Sequence, residues 1–214
     1  MKSYLDNLRR DFHGKPLSIK DVSDSPFSQF KTWLNEANES DIVDSIAMTI
    51  STVNDKNQPS SRIVYLRDII SNNFIFYTNF NSRKGTDILS NNHISGQFFW
   101  KELERQVRFE GLVKKVDNVI SDKYFAERPR KSQIGAWVSN QSHKISGRKE
   151  LEDLIIFYNK KFDGIDVPRP ENWGGYEIKI NYFEFWQGRE SRLHDRVVYE
   201  LLENNNWDIY AIAP

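Results

Sequence analysis

Residues 43–53, Val43-Asp-Ser-Ile-Ala-Met-Thr-Ile-Ser-Thr-Val53, decide how the rest of the chain is read. The stretch is dense in β-branched residues and free of glycine and proline, so it reads as a strand. Asn54–Pro59 is turn chemistry, and Ser61–Ile69 then pairs back as the second arm of a hairpin. A turn at Ser71-Asn72-Asn73 leads into Phe74–Asn79, and Ile94–Trp100 and Gln106–Val116 supply two further strands. Short strands joined by turns, with a single helical interruption at Ser82–Asn91, predict an antiparallel barrel or sandwich.

Working outward, residues 1–24 are polar, with weak periodicity, and read as an arm with one short helix. Ser25-Pro26 starts a helix, serine as cap and proline in the first turn, and Phe27, Phe30 and Leu34 dock it on a core. On the far side, helices are expected over Asp122–Arg128, Ser132–Val138 and Leu151–Phe162. The last is amphipathic, with Leu151, Leu154, Ile155, Tyr158 and Phe162 on one side. Tyr176, Ile178 and Ile180 share one phase of a strand that turns at Gly188 and resumes at Val197–Leu202. The expectation is a mainly β protein with flanking helices: a single domain over 25–214, preceded by the arm.

The length of 214 residues suits one domain. Thirty basic and thirty acidic residues cancel, so no global field favours nucleic acid or an anionic membrane, and neither is an expected partner. Cysteine is absent, which excludes disulfides, thiolate metal sites and cysteine nucleophiles and suits a reducing cytoplasm. No stretch has the apolar length of a signal peptide or a membrane span. Six tryptophans, nine tyrosines and fourteen phenylalanines are plentiful; such rings usually fill a β core or an oligomer interface, and stacking on a flat ligand is the rarer use.

Four stretches could carry chemistry. Phe185–Arg196 places three arginines, His194 and Asp195 around Trp186. If Arg192–Arg196 is extended, Arg192, His194 and Arg196 project from one face, and they repel unless an anion or polar ligand lies there. A solvated hairpin with charged tips is the alternative. In Asn81-Ser82-Arg83-Lys84-Gly85, Ser82 caps a helix, yet two cations oppose the dipole of its first turn. Free backbone N–H groups, a hydroxyl and two cations together make a phosphate site, against the alternative of a solvated basic turn. Tyr124 and Arg128 lie four apart on one helix face, Pro129 ends that helix, and Ser132 would cap the next, giving a second anion pocket or merely a surface arginine beside a packed tyrosine. Gln106 shares the polar phase of its strand with Arg108 and Glu110 and can offer donor and acceptor to a heterocycle edge, or simply face water. Trp186 could flank a flat ring or sit in the core. No Ser-His-Asp order, HExxH, P-loop or GxGxxG occurs, and His13, His93, His143 and His194 lack ligand spacing, so no metal is expected. A cofactor would have to supply the chemistry.

The ordered motifs Arg62-Ile-Val-Tyr-Leu-Arg67, Phe76-Tyr-Thr-Asn79, Ser82-Arg-Lys84, Leu103-Glu-Arg-Gln-Val107, Arg128-Pro-Arg130, Gln133-Ile-Gly-Ala-Trp-Val-Ser139, Gln141-Ser142, Trp173-Gly-Gly175 and Phe185-Trp-Gln-Gly188 with Arg192-Leu-His-Asp-Arg196 closely resemble the pyridoxine/pyridoxamine 5′-phosphate oxidase family. The match runs in order through nearly the whole chain, to Ala213-Pro214. The resemblance implies an antiparallel split β-barrel homodimer of FMN-binding type, with two FMN at the subunit interface. It implies oxidation of pyridoxamine or pyridoxine 5′-phosphate to pyridoxal 5′-phosphate, with O2 as electron acceptor and H2O2 released.

Carried over by position, the family's FMN contacts fall on Arg62, Ile63, Val64, Tyr65, Leu66 and Arg67, on Tyr77, Thr78, Arg83 and Lys84, and on Gln106, Gln141, Ser142, Trp186 and Arg196. Its substrate contacts fall on Arg67, Tyr124, Arg128 and Ser132, and on Arg192, Leu193 and His194. Arg9, Arg10, Asp11 and Phe12 match the segment that folds over the substrate, which makes the arm a lid. Arg192, His194, Arg196 and Asp44 match active-site positions. Family members often carry lysine where this chain has Arg67 and tyrosine where it has Phe12; arginine keeps the charge but changes reach and hydrogen-bond geometry. Two rival readings of the same scaffold are a phenazine-type flavin oxidase and a non-catalytic protein that binds flavin or pyridoxal phosphate.

Overall fold

The computed structural model of the chain describes residues 10–214. Its strands are β1 (Ala47–Val53), β2 (Pro59–Tyr65), β3 (Asp68–Ile70), β4 (Asn73–Asn79), β5 (His93–Trp100), β6 (Arg105–Lys115), β7 (Trp173–Gln187), β8 (Asp195–Leu201) and β9 (Trp207–Ala211). The order in the sheet is β2-β1-β5-β6-β7-β4-β3, with β8 pairing β7 and β9. The helices are α1 (Pro26–Glu39), α2 (Arg83–Ser90), α3 (Asn118–Glu127), α4 (Arg130–Val138) and α5 (Arg148–Lys161). The chain divides into two compact units: residues up to Ile50 with Ser95–Gly111 and Ile180–Pro214, and Ser51–Ile94 with Leu112–Lys179.

The first unit is built on aromatic packing. Ser25 Oγ accepts from Ser28 N at 3.5 Å and starts α1 as expected. The helix buries Phe27, Phe30, Trp33 and Ala37, while Leu34 stays half-buried, so the apolar stripe is turned toward Trp33. Phe27 and Trp33 meet Phe183 and Phe185 of β7 edge-on, at 5.2 and 5.3 Å. Phe30 packs on Phe98 at 5.0 Å. Each such ring contributes roughly 1.5–3 kcal/mol on full burial. The described part of the arm carries a 3-10 turn, Ile19–Asp21; residues 1–9, where the expected short helix could also fall, lie outside the described residues.

In the second unit the hairpin turn is closed by Asn54, whose Oδ1 accepts from Lys56 N at 3.0 Å and Gln58 N at 2.9 Å. Two expectations need correction in this region. The strand expected from Val43 starts only at Ala47, after a turn in which Asp44 takes a φ of 59°. The strand expected over Ser61–Ile69 is broken at Leu66-Arg67, because β2 pairs with β1 and β3 pairs with β4. Leu66 is buried at the break and the Arg67 N–H bonds Ile75 O at 2.8 Å. A strand that changes partners must interrupt its ladder.

α3 ends at Glu127 and α4 starts at Arg130 with Pro129 in the cap position, so Ser132 sits inside the first turn, its N–H on Pro129 O at 2.7 Å, and does not cap. Proline lacks an N–H that a helix start would leave unused, so one residue ends α3 and begins α4. Leu151, Leu154 and Tyr158 of α5 pack against a cluster of Phe125, Ile134, Val138, Phe162, Val167 and Trp173. Ile155, expected on the same side, is exposed.

Candidate active site

A cavity of about 940 Å³ in the second unit collects most of the candidate residues of that unit. Arg62, Ile63, Val64, Tyr65 and Arg67 line it from β2 and the break that follows, and Tyr77 and Thr78 from β4. Lys84 comes from α2, Tyr124 and Arg128 from the end of α3, Ser132 from α4, and Gln141 and Ser142 from the segment after α4. Leu66 is core rather than wall, and Arg83 points to solvent.

The first cationic grouping centres on Lys84, which is buried. Its Nζ donates to Gln141 Oε1 at 2.9 Å, Thr78 Oγ1 at 3.1 Å and Ser82 Oγ at 3.3 Å. Ser82 Oγ also accepts from Gly85 N at 3.4 Å, the expected cap. Burial, and then the neighbouring Arg62, pull the Lys84 ammonium down to about 8. Arg62 is itself pulled below the usual arginine value by burial, with Asp87 opposing and Arg83 adding to the effect.

The second grouping is Arg128 with Arg67, Tyr124 and Ser132. Arg128 Nη1 is buried and has no hydrogen-bond partner among the described residues. Its guanidinium lies 4.5 Å above the Trp173 ring, and burial, with Arg67 adding to it, pulls it below the usual arginine value. Tyr77 and Tyr124 stack at 3.7 Å and 5°, and Tyr77 lies nearly parallel to Trp173 at 5.6 Å. Burial, reinforced by Tyr124, pushes the Tyr77 phenol up to about 12. β4 pairs with β7 so that Gly175 faces Tyr77. A Cβ there would lie 2.9 Å from Tyr77 Cε1 and 2.7 Å from Val116 Cγ2, which is why the wall needs glycine.

The first unit holds the other candidates. Phe12 stands edge-on to Trp186 at 5.7 Å and to His194 at 5.2 Å, and its ring occupies the space a Cβ on Gly188 would take. Arg10 pairs with Glu104 at 2.6 Å, His13 N bonds the same carboxylate at 2.7 Å, and Asp11 Oδ1 accepts from Ser191 N at 3.1 Å. These contacts lay residues 10–14 against the Trp186–His194 pair; Arg9 lies outside the described residues. The extended run expected over Arg192–Arg196 does not form. Glu190–Arg192 is a 3-10 turn with Ser191 and Arg192 at φ 56° and 62°, and β8 begins only at Asp195. Arg192 and Leu193 are therefore exposed on a turn.

His194 Nδ1 accepts from Arg189 N at 3.1 Å, which leaves the proton on Nε2 of the neutral ring. Arg196, opposite Trp186 in the β7–β8 ladder, donates from Nε to Glu184 Oε1 at 2.9 Å. Glu184 is 1% exposed, and its other oxygen accepts from Arg108 Nη1 at 3.0 Å. The hydrogen bond to Glu184 holds Arg196 above the usual arginine value. Gln106 is half-buried on β6, between Arg105 and the core residue Val107, and Asp44 is exposed on its turn.

Glu184, Glu104 and Asp87 were not legible as site residues. Each is a carboxylate behind a cation, and only proximity in the fold reveals the pairing. The one hint was Asp87, three positions after Lys84 on α2. Among the described residues no group of His, Cys, Asp or Glu could hold a metal ion, and no helix is long and apolar enough to cross a membrane.

A cavity in an antiparallel β protein that combines two cationic groupings with a wall of parallel aromatic rings has the chemistry to hold flat, phosphorylated ligands. Residues 34–155 match the family model described as pyridoxamine 5′-phosphate oxidase, and residues 173–214 the one described as pyridoxine 5′-phosphate oxidase C-terminal dimerisation region. The chain is 49% identical to the pyridoxine/pyridoxamine 5′-phosphate oxidase of Cytophaga hutchinsonii over 100% of both chains. It is 44% identical to that of Trichormus variabilis over 97% of each. The solved structure of PhzG from Burkholderia lata 383, in complex with tetrahydrophenazine-1-carboxylic acid, is similar with a TM-score of 0.87 and 26% identity, over 94% of this chain and 99% of that one. The chain belongs to the pyridoxine/pyridoxamine 5′-phosphate oxidase family, and with it to the flavin-dependent oxidoreductases of split-barrel fold.

Proposed function

We propose that this chain is an FMN-dependent oxidase that converts pyridoxamine or pyridoxine 5′-phosphate into pyridoxal 5′-phosphate, with O2 as electron acceptor and H2O2 as co-product, and that it works as a cytoplasmic homodimer carrying two FMN. The observation that carries this reading is the pair of cationic groupings lining one cavity, one of which keeps the buried Arg128 Nη1 without an acceptor. An orphaned, buried donor on a charged group is costly, and a phosphate oxygen is the acceptor that removes the cost. Cofactor and substrate are both phosphate monoesters, so two groupings suit the two together.

The residues fit FMN. Lys84, Arg62, Thr78, Gln141 and Ser142 supply cations and polar groups suited to its phosphate, Arg83 follows from the family position alone, and the Tyr77 wall suits a flat ring. Bound FMN would supply the two-electron acceptor for oxidation at the C4′ carbon and hand those electrons to O2. The protein's own work is mostly positioning. Arg67, Tyr124, Arg128 and Ser132 pin the substrate phosphate, and the Tyr77–Tyr124 stack fixes where the phenol points. Following the family positions, Arg192 and Leu193 cover the substrate ring and His194 orients it through Nε2–H. Gln106 and Trp186 contact the flavin, and Asp44 keeps the family's active-site place. Arg196, locked by Glu184, offers a fixed positive charge where negative charge develops, which is worth most in a dry site. Arg10, Asp11 and Phe12 exclude water from His194.

An absorbance spectrum and an oxygen electrode test the reading. The purified protein should be yellow and should consume O2 when pyridoxamine 5′-phosphate is added. A yellow protein that consumes none would bind flavin without this oxidase activity; a colourless one, even after FMN is supplied, removes the flavin. Arg192→Ala should cut turnover while FMN stays bound, and unchanged turnover would reject its role. The similarity to PhzG, with Arg67 and Phe12 as departures, favours one second reading, a phenazine-type flavin oxidase. That enzyme would bind FMN equally well but leave pyridoxamine 5′-phosphate unoxidised in the same assay.

A further inference from the structure

Behind the cavity wall lies a polar network that no assigned contact includes. Asp87 of α2 is 4% exposed, and Thr52 of β1 is fully buried. Asp87 Oδ2 accepts from Thr52 Oγ1 at 2.6 Å and from Ser60 Oγ at 3.0 Å. The same two hydroxyls accept from Arg62, Nη1 to Thr52 Oγ1 at 2.8 Å and Nη2 to Ser60 Oγ at 2.5 Å. Asp87 Oδ2 itself lies 3.9 Å from Arg62 Nη2.

A hydroxyl has one proton to give. Here the carboxylate takes it from both Thr52 and Ser60, so their lone pairs must face the guanidinium. Asp87 thereby sets the polarity of two parallel relays, and each relay grips one end of a planar fork. An arginine held only by Coulomb attraction could swing on its stem; one gripped at both Nη atoms cannot. The network also places a negative charge behind the crowded cations Arg62, Arg83 and Lys84, whose mutual repulsion would otherwise splay them.

We propose that Asp87, acting through Thr52 and Ser60, is the positioning residue that aims Arg62 at the phosphate of the flavin, so that the preference for a phosphorylated flavin depends on a carboxylate that never touches it. This rests on the reading that Arg62 contacts FMN. The informative variant is Thr52→Val, which removes one relay with almost no change of volume and none of charge. Affinities for FMN and for riboflavin, which lacks the phosphate, are measured by fluorescence titration of the apoprotein. Thr52→Val should weaken FMN roughly tenfold, the scale of one hydrogen bond to a charged group, and leave riboflavin unchanged. Thr52→Ser should restore FMN binding. In an Arg62→Ala background Thr52→Val should add nothing.

Asp87→Ala separates aim from charge, because it removes the acceptor that both hydroxyls share as well as the negative charge. It makes the site more positive, so a purely electrostatic role predicts tighter FMN, whereas loss of aim predicts weaker. FMN affinity at the wild-type level in Thr52→Val, or an equal loss for FMN and riboflavin, would overturn the proposal. Unchanged FMN affinity in Arg62→Ala would instead overturn the assignment of Arg62 to the cofactor, and the proposal would fall for that separate reason.

Discussion

Lys84 and Arg128 line the same cavity and are held in opposite ways. Lys84 already has three protein acceptors, from Gln141, Thr78 and Ser82. Arg128 has the ring faces of Trp173 and Phe125 beneath it and a buried Nη1 without a partner. The lysine is satisfied before any ligand arrives and can shed its proton if the pH rises. The guanidinium cannot lose its charge, and it keeps a donor in reserve. A ligand at Lys84 therefore competes with existing hydrogen bonds, whereas a ligand at Arg128 relieves a standing cost. The second site should gain more per contact, and the ligand-free protein should be the less stable for having it.

The sharpest way to break this contrast is Arg128→Met. Losing a pair of charge-assisted bonds should raise the KM for pyridoxamine 5′-phosphate about a hundredfold. The ligand-free protein should melt no lower than wild type, and by about 1 kcal/mol higher in stability, because the orphaned nitrogen has gone. An unchanged KM together with a lower melting temperature would dissolve the distinction. Lys84→Met is the counterpart. FMN affinity should fall by about tenfold to a hundredfold, while the ligand-free protein keeps its stability to within about 1 kcal/mol near neutral pH, since Gln141 and Thr78 lose a donor but the cost of a buried, repelled ammonium goes with it. Arg128→Met should therefore melt above Lys84→Met in the ligand-free state.

The pH dependence sharpens the contrast further. The folded-state value of Lys84, about 8, lies below the usual 10.5, so between the two the unfolded chain binds more protons and the stability of ligand-free protein should rise with pH. FMN affinity should fall over the same interval, by up to about tenfold per pH unit, as the cation is lost. Both slopes should vanish in Lys84→Met, and persistence of either would assign the titration to another group. The smallest effect on ligand binding is expected from Gly175→Ala. Its methyl would push Tyr77 off the Tyr124 and Trp173 rings, costing about 1–3 kcal/mol of stability and a few-fold in substrate affinity. A near-UV circular dichroism spectrum identical to wild type would show that the stack does not depend on the glycine.

Much of this was readable in residues close along the chain. The hairpin after β1, the Ser25 and Ser82 caps and the helix break at Pro129 all follow from local propensity, and local propensity acts over a few residues. The errors have two causes. The strand over Ser61–Ile69 broke because its halves pair with different strands, and Arg192 left the expected extension for a left-handed turn. Ser132 has the chemistry of a cap, but Pro129 stands in the cap position. In the first two cases a partner outside the window decided the conformation; in the third, one local signal outweighed another.

The sequence by itself determined the mainly β architecture, the absence of thiol chemistry, and the positions of two clusters of cations with the chemistry to meet an anion. Only the tertiary structure decided which cations are satisfied. Lys84 finds Gln141 across 57 positions, Asp87 finds Thr52 across 35, and Arg128 finds nothing for one nitrogen. Charge is a property of the residue, but the cost of holding it depends on burial and on the acceptors within about 3 Å, and a folded chain sets both.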